Sequence, residues 1–202
     1  MNVGTGTRRI AGGRQTPIAP PQLCLFATDL GWMGIRLQAP DTLERVWFGY
    51  PSRASLAAAI DIAAAGGSGA VDVSAETPRV RSLVRRLRDY AQGRRVDFSD
   101  LKIDVGPRTD FQRAVLQATR RLKYGETASY GEIARRAGAP LAARAVGSVM
   151  AHNPLPLIIP CHRVVASGRA LGGFSALDGV AMKQRLLRLE GALNETGALI
   201  GS

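Results

Sequence analysis

Residues 129–165, "SYGEIARRAGAPLAARAVGSVMAHNPLPLIIPCHRVV", carry the reading on which the fold turns. Ser129 and Glu132 stand in the Ser-x-x-Glu spacing of a capping box, in which each side chain satisfies a backbone N–H of the open first turn of a helix. Gly138 closes that helix after about two turns. A second helix restarts after Pro140 and ends before Pro154, because the residue ahead of a proline is pushed out of the helical region. Two short helices joined by a turn of three or four residues make a helix-turn-helix. Beyond it, the apolar, proline-spaced run Leu155–Ile159 predicts a rigid extended segment, buried in the domain, that delivers Cys161 at its end.

Composition sets the wider frame. The chain has 202 residues, 46% hydrophobic and 21% charged, enough to bury a core in one generous domain or two small ones. Its 27 basic residues, nearly all arginine, outnumber 16 acidic ones, for a formal charge of +11. That excess predicts a polyanionic partner, nucleic acid before anionic membrane, because guanidinium forks suit phosphate. No stretch approaches the roughly 20 consecutive apolar residues of a spanning helix, and "MNVGTGTRRIAGGRQTP" lacks the apolar heart of a signal peptide, so a cytoplasmic protein is expected. Two isolated cysteines and two histidines supply neither a disulfide framework nor a zinc spacing. Cys161 is expected as a free thiol, with no metal.

Residues 1–21 read as a flexible basic tail. "LCLFAT", "GWMGIRLQ" and "LERVWFGY" are rich in large apolar residues, are separated by turn chemistry, and predict a small antiparallel meander. "RASLAAAIDIAAA" has helix formers, and "GGSGAVDVSAETP" has the small residues of a surface loop. In "RVRSLVRRLRDYAQG", Val80, Leu83, Val84 and Leu87 recur at helical spacing with arginines opposite and Gly93 as the stop. "DFSDLKIDVGPRTDFQ" reads as an extended linker with a boundary near residue 105. Within it, Thr109 and Gln112 form a second capping box, starting a helix with Phe111, Val115, Ala118 and Leu122 on one side.

The second helix of the helix-turn-helix carries Ala142, Ala143, Ala145 and Gly147, too short to read base edges in a wide groove but permissive of close approach to a minor groove. Arg144 alone projects from that patch, and a planar cation can enter a base stack; an alanine-rich packing face with one surface arginine fits the same spacing. Tyr130 falls at the first helical position, where open N–H groups and the helix dipole favour phosphate, and reads either as a contact to nucleic acid or as an ordinary surface tyrosine. Cys161 needs help to react, since an unperturbed thiol with a pKa of about 8.5 is only slightly ionised at neutral pH. His162 can take its proton and Arg163 can stabilise the anion. Alternation along an extended chain puts His162 on the opposite face, reaching the sulfur through a water. Composition leaves open the other reading, a buried structural cysteine beside a surface histidine. "GRALGG" fits no phosphate-binding glycine loop and reads as a flexible pocket wall. Cys24 reads as core, and His152 is assigned no chemistry.

In order and spacing, "YGETASYGEIARRAG", "ARAVG", "NP" and "PCHRVV" closely resemble the O6-alkylguanine-DNA alkyltransferases. The resemblance runs over about residues 95–191, from upstream of "TDFQRAVLQATRRL" to "KQRLLRLEG", and is weak over the meander. It implies an α/β (α+β) fold: a small N-terminal antiparallel sheet domain with helices (22–104, ribonuclease-H-like) and a mainly helical C-terminal domain (105–192), followed by a tail (193–202). It implies that Cys161 is the alkyl acceptor, that His162 takes the thiol proton through a water, and that Glu190 orients and charges His162. Glu190 without the resemblance would be a solvated face residue.

Tyr130 matches the residue that donates to the departing guanine, and Arg144 the finger that fills the gap left by a flipped nucleotide. The resemblance makes Ala142, Ala143, Ala145 and Gly147 a DNA-facing surface, Met150, Pro156, Val164, Phe174 and Ser175 the base pocket, and Asn153 a structural hinge. Phe174 departs from the family's pocket tyrosine, the 176–179 loop is about two residues longer, and "RTDFQ" replaces the usual Gly-Thr-x-Phe-Gln approach. The implied activity is irreversible transfer of one alkyl group from O6-alkylguanine in duplex DNA, with O4-alkylthymine a second candidate, by a monomer without cofactor and without membrane attachment. Two other classes fit parts of the chain: a helix-turn-helix lesion binder or regulator without chemistry, which the presence of Cys161 argues against, and a Cys-His thiol hydrolase, which would turn over repeatedly.

Overall fold

The computed structural model describes residues 22–38, 41–63 and 77–200; the expected basic tail and almost all of the expected loop at 66–78 lie outside them. Strands β1 (Gln22–Thr28), β2 (Gly31–Gln38) and β3 (Thr42–Tyr50) form an antiparallel sheet in chain order, the meander expected from the three apolar segments. The period-2 alternation divides their side chains between two helices. Leu23 and Leu25 face α1 (Arg53–Ala63) with Leu56 and Ile60, while Cys24, Phe26, Met33 and Ile35 face the core that contains α2 (Pro78–Ala91). Gly34 lets α1 approach, since a Cβ there would sit 3.1 Å from the Leu25 side chain and 3.3 Å from that of Ile60.

Helices α3 (Asp110–Arg120), α4 (Tyr130–Arg136) and α5 (Ala143–Ala151) pack on one another, and both expected capping boxes, Thr109 with Gln112 and Ser129 with Glu132, are formed. β4 (Ala128–Ser129) pairs in parallel with β5 (Val164–Val165), which fixes the start of α4 beside the cysteine segment. α6 (Gly179–Leu189) completes the fold. The linker does not separate two cores. Leu43 bonds to Lys102 and Asp104 across the free edge of β3, Val46 N–H donates to Pro154 O at 3.0 Å, and one apolar cluster runs from Cys24 and Leu87 through Val115 to Cys161.

Two local expectations change. The run after Pro154 is a compact turn and not an extended segment: Ile159 N–H donates to Leu155 O at 2.8 Å and Leu157 sits at φ 71°, with Leu155 and Leu157–Ile159 buried. Burial of those side chains offsets the roughly 1–2 kcal/mol that a left-handed leucine costs. Residues 193–200 are no loose tail, because Leu193 pairs with Leu199 and both pack against Val165 and Leu187. Among the described residues no helix is long and apolar enough to cross a membrane, and no group of three or more His, Cys, Asp or Glu side chains converges as a metal site.

Candidate active site

Cys161 opens a single 3-10 turn, Cys161–Arg163, immediately before β5, and not an extended strand. Its thiol is free, is 6% exposed, and lines a cavity of about 680 Å³ together with Tyr130, Arg144, Gly147, Met150, Phe174 and Ser175. Ala143 also lines it; Ala142 and Ala145 do not. Asn153 braces the turn that presents the thiol, its Nδ2 donating to Ile159 O at 2.8 Å and its Oδ1 accepting from Leu155 N–H at 3.1 Å. Pro156 lines an adjoining cavity of about 210 Å³ that shares Met150, Cys161, Phe174 and Ser175 and reaches Arg45, Trp47 and Tyr50 of β3. Val164 lines neither cavity; its side chain is fully buried and its carbonyl accepts from Lys183.

Behind the cysteine lies a buried polar network. Glu190, at the C-terminal end of α6, is drawn inward and is no solvated residue: its Oε1 accepts from His162 Nε2 at 2.9 Å, from Arg163 at 2.9 Å and from the Tyr90 hydroxyl at 2.6 Å. Its Oε2 accepts from Arg163 Nε at 2.8 Å and from Gly125 N–H at 3.0 Å. Arg163 therefore serves the carboxylate and does not face the sulfur as its sequence position suggested. An acceptor-only carboxylate on Nε2 places the imidazole proton there. Nδ1, buried and without a hydrogen-bond partner among the described residues, is left as the proton acceptor.

Burial pushes the Glu190 carboxyl up, but the hydrogen bonds and charges of His162 and Arg163 outweigh it and hold the group well below the usual carboxylate range. Burial pushes His162 down against the pull of Glu190, so the ring is neutral. Burial pushes the Cys161 thiol up, opposed by the Asn153 side chain and the Lys183 charge, so the resting sulfur keeps its proton. Lys183 is fully buried, bonds to Val164 O at 2.6 Å and Gly173 O at 3.3 Å, and sits 5.8 Å over the Tyr130 ring. Burial lowers its pKa to about 8.

Tyr130 starts α4, lines the cavity and turns its hydroxyl toward Gly173 O at 3.4 Å. Burial first, and the Cys161 sulfur once ionised, raise its pKa, so the phenol stays protonated. Gly172 makes room for it: at φ 70°, a Cβ would lie 3.0 Å from the Tyr130 ring. Arg144 is exposed on α5 and without an ion pair among the described residues, and His152 is exposed with Nδ1 donating to Ser148 O at 2.8 Å. Sequence reasoning missed Tyr90 and Lys183 as site residues: Tyr90 falls in the apolar stripe of α2 and reads as core, and a lysine in an amphipathic helix reads as a solvated cation.

A helix-turn-helix with an apolar cavity between its second helix and a buried cysteine, backed by a neutral histidine and a carboxylate, defines a fold and site suited to binding nucleic acid and presenting a thiol to it. Comparison with known proteins agrees. The family model described as 6-O-methylguanine DNA methyltransferase, DNA binding domain, matches residues 110–192. A methylated-DNA–protein-cysteine methyltransferase of Mycolicibacterium paratuberculosis is 44% identical over 116 residues, 57% of this chain and 68% of the relative. The constitutive protein of the same name from Bacillus subtilis is 40% identical over 115 residues, again 57% of this chain and 68% of the relative. Among solved structures, Mycobacterium tuberculosis OGT in complex with DNA superposes with a TM-score of 0.65 at 30% identity, covering 88% of this chain and 95% of that one. The chain belongs to the methylated-DNA–protein-cysteine methyltransferase family.

Proposed function

We infer that this protein repairs DNA by direct reversal: it binds duplex DNA, accepts a flipped O6-alkylguanine in the 680 Å³ cavity, and moves the alkyl group irreversibly to Cys161. The observation that carries this reading is the convergence on one cavity of Cys161, Tyr130 and Arg144, with the His162–Glu190 pair directly behind. No cofactor enters. His162 Nδ1 takes the thiol proton across one water, and Glu190, already ionised, stabilises the imidazolium that forms. The thiolate attacks the alkyl carbon, the carbon–O6 bond breaks, and its electron pair leaves with the guanine.

Tyr130 donates toward the departing base, and Lys183 over its ring favours the charge that the phenol then carries. The product is a thioether that the site has no means to cleave, so each molecule acts once. Arg144 fills the space left by the flipped nucleotide, while Ala143 and Gly147 allow α5 to come close to the groove. Phe174 supplies a pocket wall without a hydroxyl, and the neighbouring cavity reaching β3 gives space beside the reacting carbon, so alkyl groups larger than methyl fit the same reading. A thiol that must stay reduced belongs in the cytoplasm, and nothing in the mechanism requires a second copy of the chain.

Incubation with duplex DNA containing O6-methylguanine is expected to add one methyl mass to the peptide bearing Cys161, in one equivalent, and Cys161→Ala to abolish it. A methyl group found on another residue, or a steady turnover in place of a single burst, overturns the reading.

A further inference from the structure

Tyr90 belongs to the N-terminal part of the chain, on α2, yet its hydroxyl ends inside the network behind Cys161. It donates to Glu190 Oε1 at 2.6 Å and lies 3.3 Å from His162 Nε2. The residue is 1% exposed, and its ring packs against Phe98 and Tyr124, with centroids 6.2 Å away in each case. Among the described residues it makes no other polar contact than these two.

We propose that Tyr90 is a positioning residue for the alkyl transfer, whose hydroxyl shares the Glu190 oxygen that faces His162 and thereby keeps the imidazole a proton acceptor. The two-pronged Arg163 contact already fixes where the carboxylate sits, so the Tyr90 bond is not needed to hold it in place. What the bond changes is charge. Every donor on Oε1 withdraws electron density from the atom that accepts His162 Nε2–H, and a less basic carboxylate favours the imidazolium less.

The groups facing His162 are Tyr90 from α2, Arg163 from its own turn, and Lys183 and Glu190 from α6 and its end. Glu190 alone among them pulls the ring toward protonation, while Arg163 and Lys183 oppose it. Tyr90 weakens that single pull. Its own pKa lies well above the usual value, first through burial and then through the Glu190 charge, so it remains a donor throughout the working range.

The test reads the His162 ring directly by NMR titration of the full chain without DNA, in wild type and Tyr90→Phe. Loss of the hydroxyl is expected to raise the His162 midpoint by about half to one pH unit, the scale of one hydrogen bond to a charged group shared between two partners. A midpoint that stays or falls overturns the proposal. A second variant keeps the hydroxyl and the fold: 3-fluorotyrosine placed at position 90 alone is a stronger donor and is expected to move the midpoint down. Shifts of the same sign in both variants, or no shift in the fluorinated protein, also overturn it. The proposal rests on Cys161 as alkyl acceptor for its consequence, a matching shift in the acid limb of the transfer rate. Because the titration uses no substrate, a wild-type protein that transfers nothing sinks that reading and leaves the titration result to stand or fall alone.

Discussion

At the scale of single residues, Glu190 carries the largest energetic stake. Five donors converge on a carboxylate whose side chain is fully buried. Replacing it by glutamine keeps the shape but leaves the Arg163 guanidinium buried without a counter-charge, which is expected to cost about 3–5 kcal/mol, read as a lower urea midpoint. The pH dependence has a definite sign. The Glu190 carboxyl is held below its ordinary value of 4.5, so its contribution is complete above that pH and is lost as pH falls through the folded value. His162 is held below its ordinary 6.5, so the unfolded chain takes up that proton first and stability declines from there downward. Wild type is therefore expected to lose stability in two stages on acidification, and Glu190→Gln to lack the stage below pH 4.5. A variant whose midpoint still falls there as steeply as wild type would show that another carboxylate dominates.

At the scale of elements, α5 separates stability from function. Arg144 projects into solvent from a helix whose inward face is Val146, Val149 and Met150, so Arg144→Ala is expected to change stability by less than about 0.5 kcal/mol. Its expected effect is on extrusion of the base: transfer from a duplex falls about tenfold or more, while transfer from a single-stranded oligonucleotide, which has little pairing to break, falls far less. Equal losses on both substrates would assign Arg144 to general DNA affinity. The same elements show what the sequence makes legible. Both capping boxes announced helix starts because their signal lies within four residues. The turn after Pro154 gave no such signal, since Leu157 takes a left-handed conformation that leucine avoids and only the core around it enforces. Cys161 and His162 were legible as a pair, but the reach of Arg163 to Glu190 and of Tyr90 from α2 depends on tertiary packing across 27 and 100 positions of chain.

At the scale of the molecule, most of the chain's positive charge lies outside the proposed site, and affinity and chemistry are separable. Of its formal +11 charge, little resides around Cys161, where Arg163 and Glu190 balance and Lys183 adds a single positive charge. The exposed arginines make affinity for DNA an ion-exchange process: each phosphate neutralised releases counterions, and log K falls with log salt in proportion to their number. If about four phosphates are engaged, raising salt from about 50 to 200 mM lowers affinity roughly 100-fold. Cys161, Glu190 and His162 are buried and scarcely screened, so the rate at saturating DNA is expected to stay constant over the same range. Single-turnover kinetics at several salt concentrations separate the two quantities, since affinity appears in the half-saturating DNA concentration and chemistry in the plateau. A plateau that falls in step with affinity would mean that base extrusion itself, with Arg144 moving past the phosphates, is limited by surface charge, and that the buried site does not govern the rate.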